Sequence, residues 1–383
     1  MEYPQVNTPN NNHYLIYQMK IECTREKILD AVNKASRLTG KSTTLPALAG
    51  ILLEADGQEL TVRGTNLDLG IEINVPSKVS TPGKVLVPGN TLVQFLTHLR
   101  GEKSVTLELK KDTLFFTSEL EDVKFKTIPL DDFPVIPKQE PNTIIEVDAQ
   151  SLSSGLKSVF FATSPSSMKP ELSSVYVYGE NDTLVFVGTD SFRLAEKKIR
   201  IKDSFDGSFL VPFKNISELT RILDDIKGKV KLGISKNQIS IQSEFIYLVS
   251  RTVEGSYPDY RQIIPKEPKT EIICLKDDFE SVCKATATFT DRFHQISFDV
   301  SPQKKLFTIS SKNQDTGELM EKIEATLSGE AVAINFNHKY VSDVFQALPG
   351  DSASISLNGA GKPAVVRGVG DGNFLYVVMP MNR

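Results

Sequence analysis

The sequence has 383 residues and a formal net charge of −4, from 44 Lys and Arg residues against 48 Asp and Glu residues. Its 40% hydrophobic and 24% charged residues are typical of a globular protein and exclude a disordered chain, and its length predicts two to three domains. No apolar run approaches the roughly 18 residues of a membrane-spanning helix, and the start lacks a basic segment followed by an apolar one, so we expect neither a membrane span nor a secretion signal.

The first unit of structure is predicted to begin after residue 18. Residues 1–18 are rich in Asn, Gln, Pro and Tyr without an apolar period, and we expect a disordered N-terminal extension there. From Met19 a strand and then an amphipathic helix are predicted, and a second helix follows Val87–Pro88. Alternating apolar residues predict strands at 59–63 and 104–109.

The rest of the chain repeats this succession twice. Apolar residues at helical spacing predict helices at 152–160 and 279–284, and second helices are expected after Val211–Pro212 and Ile334–Asn337. Strands are predicted at 183–187 and 238–241. Clusters of Pro and charged residues at 137–142 and 265–269 are predicted to join the units.

Internal repeats explain this succession. Gly64–Asn66 matches Gly188–Asp190, and Phe133–Pro134 matches Tyr257–Pro258, both at a spacing of about 124 residues. Met379–Pro380 follows the second match about 122 residues later. We therefore predict an α+β fold of three similar repeats of about 122 residues. The predicted domains are 19–142, 143–268 and 269–383.

The predicted helices carry an excess of cations on their polar faces. An ordinary solvated face explains any one helix, but the recurrence on equivalent helices of an acidic protein indicates segregated charge. Such a surface could attract a phosphate backbone without reading its sequence. The cations are Lys27, Lys34, Arg37, Lys157, Arg221, Lys276 and Lys284.

No recognisable pattern assembles a catalytic or metal site. Three cysteines without C-x-x-C spacing and four histidines predict neither a disulfide framework nor a zinc site. The segment Gly359–Pro363 is not a phosphate loop, because Ser356 and Pro363 stand where that motif needs Gly and Ser or Thr. Adjacent acids such as Asp131 and Asp132 lack a second cluster in metal spacing. We expect no enzymatic activity and no cofactor.

Several segments, taken in this order and spacing, resemble one family, the bacterial DNA polymerase III beta subunit or beta sliding clamp. The resemblance covers residues 19–383. Its most specific segments are Thr44–Leu48, Gly64–Leu69, Gly188–Ala195, Tyr257–Arg261 and Tyr376–Met381.

This resemblance implies a DNA clamp fold, with helices lining a central hole and antiparallel sheets outside, in a ring-shaped homodimer around duplex DNA. The ring would be cytoplasmic and would hold DNA topologically, conferring processivity on the replicative polymerase. Implied partners are the DNA polymerase III alpha subunit, the clamp loader delta subunit, and other DNA polymerases and repair proteins. The cations above, with Lys41, would face DNA.

The resemblance also implies a groove that binds short peptide motifs of these partners. Its residues would be Leu172, Thr189, Arg193, Leu194, Pro258, Ile263, Pro363, Val377, Val378, Met379, Pro380 and Met381. The sequence departs from the family near this groove. Gln262 and Asn382 stand where many relatives have Arg, Phe192 where His is frequent, and Ser191 where Gly is frequent. Motif preference is therefore expected to differ.

Closure of the implied ring would pair a strand near Val123 and Phe125 with the region near Phe289 of a second copy. The sequence is also compatible with two other classes of function. A β-rich scaffold that binds protein would not need the basic helices, and reversing the charges of Lys34, Arg37 and Lys157 should leave its function intact. An enzyme with an unrecognised site would show activity that is lost on mutation of Asp131 or Asp132.

Overall fold

The computed structural model describes residues 18–40, 45–99, 103–118, 121–166 and 168–381. Within these ranges the chain forms 25 strands and six α-helices. Residues 1–17 of the expected extension, and Lys41, lie outside the described residues, whereas Gln18 already pairs with Lys110 in the first strand. No helix in the described ranges is long and apolar enough to cross a membrane.

The first repeat consists of a strand, a helix, four strands, a helix and three strands. Its elements are β1 (Gln18–Thr24), α1 (Arg25–Arg37), β2 (Gly50–Asp56), β3 (Glu59–Thr65), β4 (Leu69–Thr81), β5 (Gly83–Pro88), α2 (Gly89–His98), β6 (Ser104–Lys110), β7 (Thr113–Thr117) and β8 (Asp122–Lys126). Apolar and polar residues alternate along these strands. In β1, Met19, Ile21 and Cys23 are buried and the residues between them are exposed.

The second repeat has the same order of elements. They are β9 (Thr143–Asp148), α3 (Ala149–Phe160), β10 (Ser174–Glu180), β11 (Thr183–Thr189), β12 (Arg193–Arg200), β13 (Ser208–Pro212), α4 (Phe213–Asp225), β14 (Lys229–Ile234), β15 (Gln238–Gln242) and β16 (Ile246–Arg251). Helix α3 begins where Asp148 accepts a hydrogen bond of 2.9 Å from the backbone amide of Ser151, which satisfies one free donor of the first turn.

The third repeat differs by one strand. Its elements are β17 (Thr270–Leu275), α5 (Lys276–Thr286), β18 (Gln295–Ser301), β19 (Leu306–Asn313), β20 (Gly317–Ile323), β21 (Ala325–Gly329), β22 (Val332–Asn337), α6 (His338–Asp343), β23 (Ser352–Leu357), β24 (Ala364–Gly368) and β25 (Phe374–Val378). In the first repeat, the single strand β4 pairs with both β3 and β1. In the third repeat, two separate strands make the corresponding pairs, β20 with β19 and β21 with β17.

The fold divides into two compact units. One comprises Met1–Ile144 with Val230–Arg251, and the other comprises Ile145–Lys229 with Thr252–Arg383. Strands β14 to β16 of the second repeat belong to the first unit because β16 pairs antiparallel with β4. These two units do not coincide with the three repeats, so the domain boundaries predicted after residues 142 and 268 stay a prediction.

Each unit is built on a long antiparallel sheet. In the first unit the strand order is β8-β7-β6-β1-β4-β16-β15-β14, with β2, β3 and β5 joined through β4. In the second unit the order is β13-β10-β11-β12-β25-β24-β23-β17-β21, and a separate four-stranded sheet has the order β20-β19-β18-β22. Helices α1 and α2 pack together in the first unit, as do α3 with α4 and α5 with α6 in the second.

A turn at the spacing of the repeat has the same hydrogen bonds twice. The Thr65 hydroxyl donates to the Leu69 carbonyl, and the Thr189 hydroxyl donates to the Arg193 carbonyl. The Asn66 and Asp190 side chains each accept two backbone amides of the turn. At the centre of each turn, Leu67 and Ser191 have φ values of 77° and 79°. The matching geometry shows that these two segments are structural repeats.

Candidate peptide-binding and DNA-facing sites

The C-terminal strand β25 brings the predicted groove residues of three chain segments together. It lies between β12 and β24, with Val378 opposite both Arg193 and Ala364. Leu194 and Val377 are paired in register and lie in one buried cluster. The other buried members of this cluster are Val185, Val187, Tyr260, Val365 and Leu375. The apolar centre of the candidate groove is therefore continuous with the core of its own sheet.

The segment after β25 is held by backbone hydrogen bonds. The Met379 amide donates to the Phe192 carbonyl at 2.8 Å, and the Met381 amide donates to the Asn335 carbonyl at 2.8 Å. Residues 379–381 are partly buried. Because both amides have partners, the two Met side chains project from a fixed backbone.

Two ion pairs, one hydrogen bond and one ring contact hold Arg193 in the fold. Its guanidinium forms ion pairs with Asp190, at 3.0 Å, and with Asp343 at the end of α6. It also donates to the Phe161 carbonyl at 2.8 Å and lies 4.7 Å from the centre of the Tyr340 ring. Burial acts to lower the pKa of Arg193, and the surrounding acidic groups more than offset this and raise it. Arg193 is therefore a permanent cation that joins β12 to α6.

An exposed aromatic surface adjoins these residues. The side chain of Phe192 is 59% exposed, and its ring stacks on Tyr340 at 6.3 Å between ring centres. The Tyr376 hydroxyl donates to the Tyr340 carbonyl at 2.7 Å, which fixes the start of α6 against β25. The sequence alone indicated neither Tyr340 nor Asp343, because both lie far along the chain from Arg193 and no spacing connects them.

The remaining predicted groove residues differ in their burial. Pro258 is exposed and Ile263 is 46% exposed, and both flank the buried Tyr260 in the chain. Pro363 is partly buried next to Ala364, which pairs with Val378. Leu172 is buried before β10, outside the cluster of Leu194 and Val377.

Of the three predicted DNA-facing cations that the structure describes in the first unit, two are exposed and one is not. Lys27 and Arg37 lie exposed on α1. The prediction that Lys34 lies on the polar face is wrong, because its side chain is only 6% exposed and its ammonium pairs with Asp30. Lys34 lies three residues after Ala31, so the two share one buried face of the helix.

In the second unit, the predicted cations have local partners. Lys157 pairs with Asp224, Arg221 with Glu218 and Lys284 with Glu280, while the Lys276 ammonium donates to the Leu348 carbonyl at 2.6 Å. Burial acts to raise the pKa of Asp224, but hydrogen bonds from Lys157 and Ser153 outweigh it and lower the pKa. These helices therefore present a weaker positive field than their Lys and Arg residues alone would give.

The predicted dimer-interface residues lie at or near edge strands. Val123 is partly buried on β8, which ends the sheet of the first unit. Phe125 is 5% exposed and its ring packs on Phe95 at 5.5 Å, so it contributes to the core of its own unit. Phe289 is partly buried beside Gly317 of β20, the edge strand of the four-stranded sheet.

The repeated helix pairs and antiparallel sheets form the fold of the DNA clamp family. Three family models match successive parts of the chain: the N-terminal domain of the DNA polymerase III beta subunit at residues 19–137, its central domain at 146–259 and its C-terminal domain at 261–382. The chain belongs to the DNA polymerase III beta subunit family. This confirms the family and the fold class predicted from the sequence.

Known relatives agree with this assignment. The chain is 26% identical to the beta sliding clamp of Bacillus subtilis over 376 residues, covering 95% of this chain and 99% of that one. The beta sliding clamp of Synechococcus elongatus is 27% identical over 372 residues, with the same coverage. The solved sliding clamp of B. subtilis superposes with a TM-score of 0.90 at 25% identity, covering 96% of this chain and 100% of that one. The beta subunit of Thermotoga maritima gives a TM-score of 0.89 at 25% identity, covering 95% and 100%.

Proposed function

We propose that two copies of this chain close a ring around duplex DNA in the bacterial cytoplasm and confer processivity on the replicative polymerase. The observation that carries the proposal is that all three repeats match the successive domains of one clamp family and fold as its solved members do. A ring holds DNA by topology, so it needs neither base contacts nor a catalytic site, and the protein acts as a processivity factor without enzymatic activity of its own.

The charges of the helices suit a ring that slides. Each phosphate contact releases counterions and strengthens binding, so many unpaired cations would hold the protein at one place on DNA. Exposed Lys27 and Arg37 supply attraction, whereas Lys157 and Lys284 are compensated by neighbouring carboxylates. We infer that DNA lies against these helices with low affinity at each phosphate.

Ring closure is proposed to join edge strand β8 of one copy to the edge strand β20 region of the other. An uncovered strand edge exposes free backbone donors and acceptors, and a second copy would satisfy them. Val123 and Phe289 are the interface residues on the two sides, and Met320 on β20, 71% exposed, adds apolar surface. Phe125 supports β8 from within. The proposal predicts a solution mass of twice the 42.4 kDa of one chain.

The surface around β25 is proposed to bind short peptide motifs of partner proteins. These partners are the DNA polymerase III alpha subunit, the clamp loader delta subunit, and other DNA polymerases and repair proteins. Apolar side chains of a peptide would meet Ile263, Met379 and Met381, above the buried Leu194 and Val377. Phe192 and Tyr340 would offer an additional aromatic contact.

The proposed function is tested by the retention of loaded protein on circular DNA compared with linear DNA. A topologically linked ring leaves only by sliding off a free end. Retention that depends on DNA topology would support the ring, and retention that does not would reject it.

A further inference from the structure

A chain of hydrogen bonds leads from the surface of the second unit to a buried carboxylate. The Arg261 guanidinium donates to the Tyr178 hydroxyl at 2.7 Å and to Glu180 at 3.1 Å. The hydroxyls of Tyr178 and Tyr260 are 2.8 Å apart, and the Tyr260 hydroxyl donates to Glu196 at 2.5 Å. Because Tyr260 gives its only hydroxyl proton to Glu196, Tyr178 must donate to Tyr260.

Both ends of the last hydrogen bond are buried. Tyr260 is 6% exposed and Glu196 is 8% exposed. Burial, and then the charge of Glu196, raise the pKa of Tyr260, so its hydroxyl keeps its proton at any physiological pH. A buried carboxylate that loses a hydrogen-bond donor retains its desolvation cost, so the contact is expensive to break.

The position of Tyr260 connects this chain to the candidate groove. Tyr260 packs in the same cluster as Leu194 and Val377, and it begins a short 3-10 turn, Tyr260–Ile263. Pro258 lies two residues before it and Ile263 three residues after it. Both predicted groove residues are thus on the segment that the Glu196 contact fastens to β12.

The first repeat contains an equivalent anchor made of different residues. At the repeat spacing Glu196 corresponds to Glu72, which is also 8% exposed, and the segment after Tyr257–Pro258 corresponds to the one after Phe133–Pro134. Glu72 pairs with Lys138 of that segment at 2.6 Å. A buried Glu on the strand therefore contacts the following segment in both repeats, through Tyr260 in the second repeat and through Lys138 in the first.

We propose that the Tyr178–Tyr260–Glu196 chain positions Pro258 and Ile263, and thereby sets the affinity of the groove for partner peptides. This inference rests on the proposed peptide-binding function. Tyr260 and Glu196 are positioning residues, because the Tyr260 hydroxyl bonds to one Glu196 oxygen and the other Glu196 oxygen pairs with Lys198 at 3.6 Å. Fixing the segment before binding removes the cost of ordering it when the peptide arrives.

The test uses the full-length protein and a fluorescent synthetic peptide carrying the clamp-binding segment of the cognate polymerase alpha subunit. Tyr260→Phe removes one hydroxyl and is expected to weaken peptide binding about tenfold. Glu196→Gln retains an oxygen acceptor and is expected to stay within about threefold of the wild type. The matched control Lys138→Met breaks the equivalent anchor of the first unit and should leave peptide affinity unchanged.

Backbone hydrogen exchange of residues 257–264, without peptide, provides a second and independent measurement. Faster exchange in Tyr260→Phe, but not in Lys138→Met, is expected. Unchanged exchange, or a wild type and a Tyr260→Phe variant that bind the peptide equally, would overturn the inference. A wild type that does not bind the peptide at all would instead reject the proposed groove.

Discussion

The backbone amide of Met379 donates a hydrogen bond of 2.8 Å to the carbonyl oxygen of Phe192, which joins the chain terminus to the turn before β12. Deletion of residues 379–383 removes this contact and both terminal Met side chains. We expect the deletion to abolish partner-peptide binding, measured by fluorescence anisotropy, and to leave the solution mass unchanged. Deletion of residues 382–383 alone is the control and should keep binding. Normal peptide binding by the longer deletion would contradict the assignment of the groove.

Replacement of Gly188 by Ala is expected to destabilise the second unit. A Cβ atom at this position would lie 2.3 Å from the Val159 carbonyl oxygen, a backbone atom that cannot move without shifting α3. We expect a loss of about 1–3 kcal/mol in the free energy of unfolding, measured in urea. Gly361→Ala, where no atom lies within 4 Å, is the control and should be neutral. Equal stabilities of the two variants would show that α3 yields at this contact.

The fold could be predicted largely because the repeat places equivalent signals at equal spacing. The Thr65 and Thr189 turns share one pattern of hydrogen bonds, and the expected opening at Ile334–Asn337 is followed by α6. Pairing of β16 with β4 was not predictable, because strand patterns specify a buried face but not which strand lies alongside.

The candidate site was predictable only in part. Its apolar residues are in segments with recognisable motifs, whereas Asp343 and Tyr340 meet Arg193 only through the fold. Among the cations, the ion pair of Lys284 was predictable, because Glu280 lies four residues before it on the same helix. The ion pair of Lys157 was not, because Asp224 lies on a different helix and no local spacing connects the two residues.

Charge reversal at Lys27 and Arg37 together is expected to weaken binding to duplex DNA. If each side chain neutralises one phosphate, loss of both contacts should make the slope of log K against log salt concentration less negative by about two. The measurement is DNA affinity between 50 and 200 mM salt. Lys34→Met is expected to leave DNA affinity unchanged, because the Lys34 ammonium is buried beside Asp30. An unaltered salt slope after reversal would remove Lys27 and Arg37 from the DNA-facing surface.

Mild acid is expected to destabilise the third repeat through His338. Burial lowers the pKa of His338, whose Nε2 atom lies 2.7 Å from the Cys283 carbonyl oxygen. The unfolded chain therefore takes up this proton first, at the ordinary pKa of about 6.5. The stability that depends on neutral His338 is complete above that pH and is lost as the pH falls towards the lower pKa of the folded state.

Thermal unfolding at pH 7.5 and pH 5.5 measures this effect. Between pH 7.5 and pH 5.5, the Tm of the wild type should fall further than the Tm of His338→Gln. The Gln side chain can donate a hydrogen bond to the Cys283 carbonyl but does not titrate. Carboxylates common to both proteins cancel in the comparison. An equal loss in both would show that His338 does not carry the pH dependence.

The proposed ring depends on a topological link between the protein and DNA. The most direct measurement loads the protein onto a nicked circle with a compatible clamp loader, linearises half of the sample, and measures the protein retained on each form. A clamp from the same family, known to load, serves as the positive control. We expect retention on the circle and rapid loss from the linear molecule. Equal retention on both forms, with the control behaving normally, would mean ordinary affinity binding and would contradict the ring.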